Sequence, residues 1–163
     1  MARPRPAAWL ALNGVLLMFT GLLVGAAIPL APYPRLMLSA HNAGFTVSGM
    51  LSIVAALLLS SSLCSIPGWA TTWVIWAHVA LWPLSFSEVA GAFWGTKRAI
   101  PLAAAEAGAP GGTPWQEMVV IVCHIVPALL LMVAWAILVW GTWRVFRGDR
   151  FLPQERNRED SSS

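Results

Sequence analysis

Long apolar runs separated by short polar connections dominate the hydropathy pattern of this chain. Four runs, residues 7–30, 39–63, 70–94 and 117–140, reach the length of about 20 residues that an α-helix needs to cross a bilayer. Because the runs use most of the chain, we predict an all-α, polytopic membrane protein whose single domain, residues 1–147, is a four-transmembrane-helix bundle. The remaining polar segment, residues 148–163, is predicted to be a disordered tail.

Composition supports the membrane class. Of the 163 residues, 58% are hydrophobic and only 10% are charged, and the mean hydropathy is +0.68. Soluble domains carry far more charge.

The first run follows Arg3 and Arg5, as the apolar core of a secretory signal would. From Trp9 to Leu30, however, it exceeds the roughly 7–15 residues of a signal core, so we predict that it is retained as a helix.

The distribution of basic residues predicts the orientation. Those expected on one side of the membrane are Arg3, Arg5, Arg144, Arg147, Arg150, Arg156 and Arg158. Those expected on the other side are Arg35, Lys97 and Arg98. Because positive charge accumulates on the cytoplasmic side, both termini are predicted to be cytoplasmic in an integral, multi-pass protein. This topology explains the net charge of +3, which therefore indicates a lipid bilayer as partner and no nucleic acid.

His41 opens the second run among small residues. On an α-helix, positions i, i+3 and i+7 share a face, which places Gly44 and Ser48 beside His41. The imidazole would then lie along a face with little side-chain bulk, where a flat group could bind.

In the first run, Gly21 and Gly25 form a GxxxG spacing that favours close helix packing.

The third and fourth runs each carry an ionisable residue near a proline. Pro83 precedes Glu88, and Pro127 follows His124. Each proline removes a backbone donor: Pro83 frees the carbonyl of Val79, where a kink is expected, and Pro127 frees that of Cys123 beside His124. At about 1.5 Å per residue, Glu88 and His124 lie roughly 10 Å below the outer surface. An intramembrane carboxylate is costly, which makes Glu88 a functional candidate; the alternative is a protonated partner for a serine or tryptophan.

Motifs of several enzyme classes are missing from the sequence. It contains no Gly-x-Ser-x-Gly elbow, no His-Glu-x-x-His pair, no Cys-x-x-Cys and no glycine-rich phosphate loop. A histidine between helices can instead ligate haem iron. The alternative is an interhelical hydrogen bond, which is favoured for His78 near the midplane and stays open for His41 and His124.

Short motifs also carry a resemblance to a known family. They are Gly21–Leu30 (GLLVGAAIPL), Pro34-Arg35, Leu38–His41 (LSAH), Gly49-Met50 and Thr113–Glu117 (TPWQE). These motifs resemble the hydroxylaminobenzene mutase family of small membrane proteins and, more distantly, styrene oxide isomerase. The resemblance covers about residues 10–142.

The resemblance implies a four-helix membrane isomerase that forms a homotrimer and binds haem b at the subunit interface. His41 matches the axial metal ligand, and Gly44 and Ser48 would then contact the cofactor. The iron would act as a Lewis acid on the oxygen of a small lipophilic substrate. An epoxide would give a carbonyl compound and an arylhydroxylamine an aminophenol, as one step of a specialised, secondary metabolic pathway.

The chain departs from the family pattern near the expected substrate. Val47, followed by Ser48, stands where the family carries an asparagine, and residues 82–88 (WPLSFSE) replace a stretch with a tyrosine and an asparagine. We therefore expect a changed substrate. Glu88 and Ser85 are the predicted catalytic contacts to it, and Trp82 is the predicted wall of its site.

Two alternatives remain at this point. A cytochrome b-type electron carrier would use His41 and His124 as two ligands of one haem, which predicts a six-coordinate, low-spin spectrum. A membrane accessory subunit without a cofactor would use the same polar residues only to join helices, which predicts a colourless protein.

Overall fold

The computed structural model describes residues 6–148. Its α-helices are α1 (Pro6–Ala26), α2 (Pro34–Ser39), α3 (Ser48–Ser60), α4 (Gly68–Val79), α5 (Leu81–Trp94), α6 (Pro101–Glu106) and α7 (Pro114–Phe146). A 3₁₀ turn, Ile28–Leu30, follows α1, and a π-helical segment, Ala40–Val47, joins α2 to α3. All regular elements within residues 6–148 are helical, which confirms the predicted all-α class. Residues 149–163 of the predicted tail and five of the arginines used for orientation lie outside the described residues.

Three helical stretches in the described part of the chain are long and apolar enough to cross a membrane. They are Pro6–Ala26, Pro34–Ser60, which combines α2, the π-helical segment and α3, and Pro114–Phe146. Large apolar side chains on these stretches, such as Leu22, Leu57 and Met132, are more than 60% exposed. Such surfaces are stable in lipid, and they identify a membrane protein.

The third predicted span, residues 70–94, is divided into two helices. α4 ends at Val79 and α5 begins at Leu81, and the two contain 12 and 14 residues. The interruption at Ala80 lies where Pro83 has no N–H to donate to the carbonyl of Val79, the position at which a kink is expected. Neither helix alone has the length of a span, so the count of four spans and the cytoplasmic position of both termini stay predictions.

Glycines let α1 approach α3 closely. A Cβ atom added at Gly14 would lie 2.7 Å from the carbonyl oxygen of Gly49 on α3 and 2.7 Å from the side chain of Ile53. A Cβ atom at Gly21 would lie 2.9 Å from that of Phe45 in the π-helical segment. The packing predicted from small residues in α1 is therefore present.

We expect the Gly14→Ala variant to lose about 1–3 kcal/mol of stability, because its new methyl group meets fixed backbone atoms of α3. The midpoint of thermal unfolding in detergent measures this loss. Gly68→Ala is the matched control, since no atom lies within 4 Å of a Cβ at Gly68. Equal midpoints for the two variants would contradict close packing of α1 on α3.

A buried carboxylate organises the connection between α5 and α7, residues 95–113, which we call the cap. Glu117 is 3% exposed and lies in the first turn of α7. Its Oε1 accepts hydrogen bonds from the backbone N–H groups of Lys97 (3.0 Å) and Gly112 (2.9 Å), and its Oε2 accepts one from Arg98 (3.0 Å). One side chain thereby holds both ends of the cap.

The middle of the cap packs onto the rest of the bundle. Ala104 of α6 is buried in a cluster with Leu36 and Met37 of α2 and Ala92 of α5. The connection between the third and fourth apolar runs is thus a folded element with a short helix. It closes this end of the bundle.

Candidate functional site

His41 lies in the π-helical segment and faces α1. Its Nδ1 is 2.7 Å from the carbonyl oxygen of Gly21, and a Cβ atom at Gly25 would lie 2.9 Å from the same nitrogen. The GxxxG spacing of α1 therefore makes room for an imidazole ring. The hydroxyl of Thr46 donates to the carbonyl oxygen of His41 at 2.8 Å, across five residues of the widened helix.

This hydrogen bond determines which nitrogen of His41 can act as a ligand. A carbonyl oxygen only accepts, so Nδ1 carries the hydrogen and Nε2 has the lone pair in a neutral ring. Metal-ligating histidines usually donate their second N–H to a carbonyl in this way. Within residues 6–148 no three His, Cys, Asp or Glu side chains converge on one point. The donor set of one imidazole fits a haem iron, which needs a single axial histidine.

Gly44 does not share an open face with His41, in contrast to the expected arrangement, and cofactor binding by Gly44 and Ser48 stays a prediction. A Cβ atom at Gly44 would lie 3.2 Å from Glu88 Oε2 and 3.3 Å from the Cα of Ser85, both on α5. Ser48 is 4% exposed. The expectation used the periodicity of an α-helix, whereas i→i+5 bonding changes the angle between residues. His41 therefore faces α1 while Gly44 faces α5.

Glu88 and His124 are brought together by α5 and α7. Glu88 is 1% exposed, and its Oε1 lies 3.4 Å from Nδ1 of His124, whose side chain is 28% exposed. Oε2 of Glu88 has no hydrogen-bond partner within residues 6–148. His41 contacts α1, whereas His124 contacts α5. The contacts described within residues 6–148 therefore do not bring the two imidazoles together as ligands of one iron.

The other two predicted site residues have hydrogen-bond partners within the bundle. The hydroxyl of Ser85 lies 2.6 Å from the carbonyl oxygen of Gly44 and 2.8 Å from that of Leu81. The single hydroxyl hydrogen lies within reach of both acceptors, and its contact with Gly44 links the π-helical segment to α5. The indole of Trp82 donates to Asn13 Oδ1 at 2.9 Å and stacks on Phe86, with ring centroids 5.8 Å apart. A catalytic role for Ser85 and a wall role for Trp82 stay predictions.

Two important residues were not singled out from the sequence. Thr46 was missed because its bond to His41 requires the π-helical geometry, for which the sequence carries no signal. Glu117 was quoted only as part of a motif. An acidic residue in the first turn of a helix could have been recognised, since it interacts favourably with free N–H groups.

The comparisons with known proteins agree with this architecture. Residues 6–143 match the sequence profile of the family described as styrene oxide isomerase, and this range includes His41, Glu88 and His124. No curated protein and no solved structure gives a significant match. Because the family is one of isomerases and the chain carries apolar spans, an isomerase-type function in a membrane is supported. The match covers most of the chain and confirms the predicted resemblance: the protein belongs to the styrene oxide isomerase family.

Proposed function

We propose that this protein is a haem b-dependent membrane isomerase that converts a lipophilic epoxide into the isomeric carbonyl compound. Family membership supports the reaction type. The observation that carries the haem part of the proposal is the hydrogen bond from His41 Nδ1 to Gly21, because it leaves Nε2 free to ligate iron. A homotrimer, with neighbouring copies completing the site, is part of the same proposal.

When bound, haem iron would supply a Lewis acid for the epoxide oxygen. The reaction itself conserves all atoms: one C–O bond breaks, a hydride moves to the neighbouring carbon, and a C=O bond forms. Positive charge develops on carbon during this change. Water would trap that cation as a diol, so the site has to be dry. The apolar surfaces of α1, α3 and α7 place the protein in lipid, which limits access of water.

Residues of α5 would position His41 and stabilise the charge. Ser85 fastens the π-helical segment at Gly44, three residues after His41. π-Helical turns are unusual and frequently occur at functional sites, where neighbouring contacts maintain them. Glu88 is the candidate for stabilising the cation, because its Oε2 has no protein partner within residues 6–148. Trp82, with its aromatic neighbours, is the candidate for the apolar wall.

We expect the Ser85→Ala variant to lose about tenfold in isomerase activity, because a loosened π-helical segment would misplace His41. The haem absorption spectrum should change in parallel. Ser87→Ala is the matched control, since the Ser87 hydroxyl donates to Leu84 within its own helix. A Ser85→Ala variant with unchanged spectrum and rate would show that α5 does not position the histidine.

The proposed function is tested with protein purified in detergent after expression with haem available. We expect a Soret band, and we expect an aryl epoxide to be converted into its aldehyde with no added reductant. Formation of the diol instead would contradict an isomerase. An arylhydroxylamine offered in parallel decides between the two substrate classes. A colourless protein would contradict the haem part of the proposal, and a six-coordinate, low-spin spectrum would favour the electron carrier.

A further inference from the structure

A second polar pair lies between α4 and α7, away from His41. His78 of α4 is 0% exposed, and its Nδ1 lies 2.7 Å from the carbonyl oxygen of Val74. Because that oxygen can only accept, Nδ1 carries the hydrogen and Nε2 of the neutral ring is an acceptor. No group within residues 6–148 donates to this Nε2.

The partner in the pair is Trp135 of α7. Its Nε1 is buried and has no acceptor within residues 6–148, although an indole N–H can only donate. The rings of His78 and Trp135 are 6.5 Å apart between centroids and are inclined by 51°. One unused acceptor and one unused donor thus belong to neighbouring rings, and leaving both unpaired inside a membrane protein would be costly.

No protein group within residues 6–148 completes these bonds, since the nearby amide of Asn13 donates to the backbone carbonyl of His78 and not to its ring. Buried apolar side chains pack in the same region, among them Val74, Ala77, Ala134 and Leu138. An apolar groove of about 470 Å³ adjoins the Trp135 side chain and is lined also by Leu58 and Val139. The indole of Trp135 therefore lines space that a hydrocarbon chain could fill, whereas His78 lies in the interior.

We propose that His78 and Trp135 form a binding site for one hydroxyl group. A hydroxyl oxygen accepts from the indole N–H while its hydrogen is donated to His78 Nε2, so one oxygen satisfies both nitrogens. A carbonyl oxygen could bind only the indole, and an ammonium group only the imidazole. The hydroxyl belongs either to a buried water molecule or to a lipophilic alcohol whose hydrocarbon part occupies the adjoining groove.

The site is tested by nitrogen NMR of protein labelled with ¹⁵N-histidine in lipid bilayers. The chain has three histidines, so the His78 signals can be assigned with single variants. We expect the Nε2 signal of wild-type His78 to lie upfield of an acceptor nitrogen that has no hydrogen bond. Trp135→Phe keeps an aromatic ring but removes the indole donor, and it should reduce this displacement. Trp115→Phe, which removes an exposed indole from the first turn of α7, outside this groove, should leave it unchanged.

Two further measurements identify the source of the hydroxyl. Transfer of magnetisation from water to His78 Nε2 would identify a water molecule. A displacement that appears only when delipidated protein is titrated with 1-octanol would identify an alcohol. A wild-type Nε2 signal at the position of an unbonded acceptor under both conditions, or a ring protonated on both nitrogens, would overturn the proposal. Because wild-type protein decides these outcomes, the test does not depend on the folding of a variant.

Discussion

The His41→Ala variant is expected to lose its haem and to retain less than about 1% of the isomerase activity. Loss of a residue that only hydrogen-bonds to a metal ligand costs about 10–100-fold in activity, and loss of the axial ligand itself should cost more. None of the contacts described within residues 6–148 brings a second histidine to His41. We therefore expect no other imidazole to replace it as the iron ligand. The measurements are the Soret absorbance per protein and the initial rate of aldehyde formation.

His124→Ala is the matched control for the spectrum. His124 contacts Glu88 on α5, whereas His41 contacts α1. We therefore expect His124→Ala to keep the Soret band. Loss of the band in both variants would indicate a haem held by two histidines, as in an electron carrier. An unchanged spectrum in His41→Ala would remove this residue as the ligand while leaving the membership of the family intact.

The Glu117→Gln variant is expected to lose about 2–4 kcal/mol in the free energy of unfolding, since hydrogen bonds to a buried charged group contribute more than neutral ones. Three backbone N–H groups of the cap donate to this carboxylate. A glutamine has one acceptor oxygen, and its amide group would place N–H donors against N–H donors. Chemical denaturation in detergent measures the loss, and limited proteolysis should cut the cap, residues 95–113, more rapidly.

Glu106→Gln is the matched control for Glu117→Gln. Glu106 pairs with Arg35 in the same region, but the two side chains are 56% and 53% exposed. A solvent-accessible ion pair contributes only about 0–1 kcal/mol. If both variants lost the same stability, the carboxylate of Glu117 would not be the anchor of the cap.

The class of this protein and its candidate residues were accessible from the sequence. Each long apolar run predicts a helix by itself, because a segment surrounded by lipid must satisfy its backbone hydrogen bonds internally. The helix break shortly before Pro83 and the packing role of Gly21 likewise follow from the residue type alone. His41 stood out as a histidine among small residues in a motif that resembles a known family.

The partners of these residues depended on tertiary structure. The α-helical periodicity put Gly44 and Ser48 beside His41, but the π-helical segment turned His41 towards Gly25 of α1 and Gly44 towards Glu88 of α5. The ring contact between His78 and Trp135 and the bonds from Lys97 and Arg98 to Glu117 join residues distant along the chain. Hydropathy is a property of each segment by itself and is readable from sequence. Hydrogen-bond partners depend on the rotation and register of packed helices, which only the assembled bundle determines.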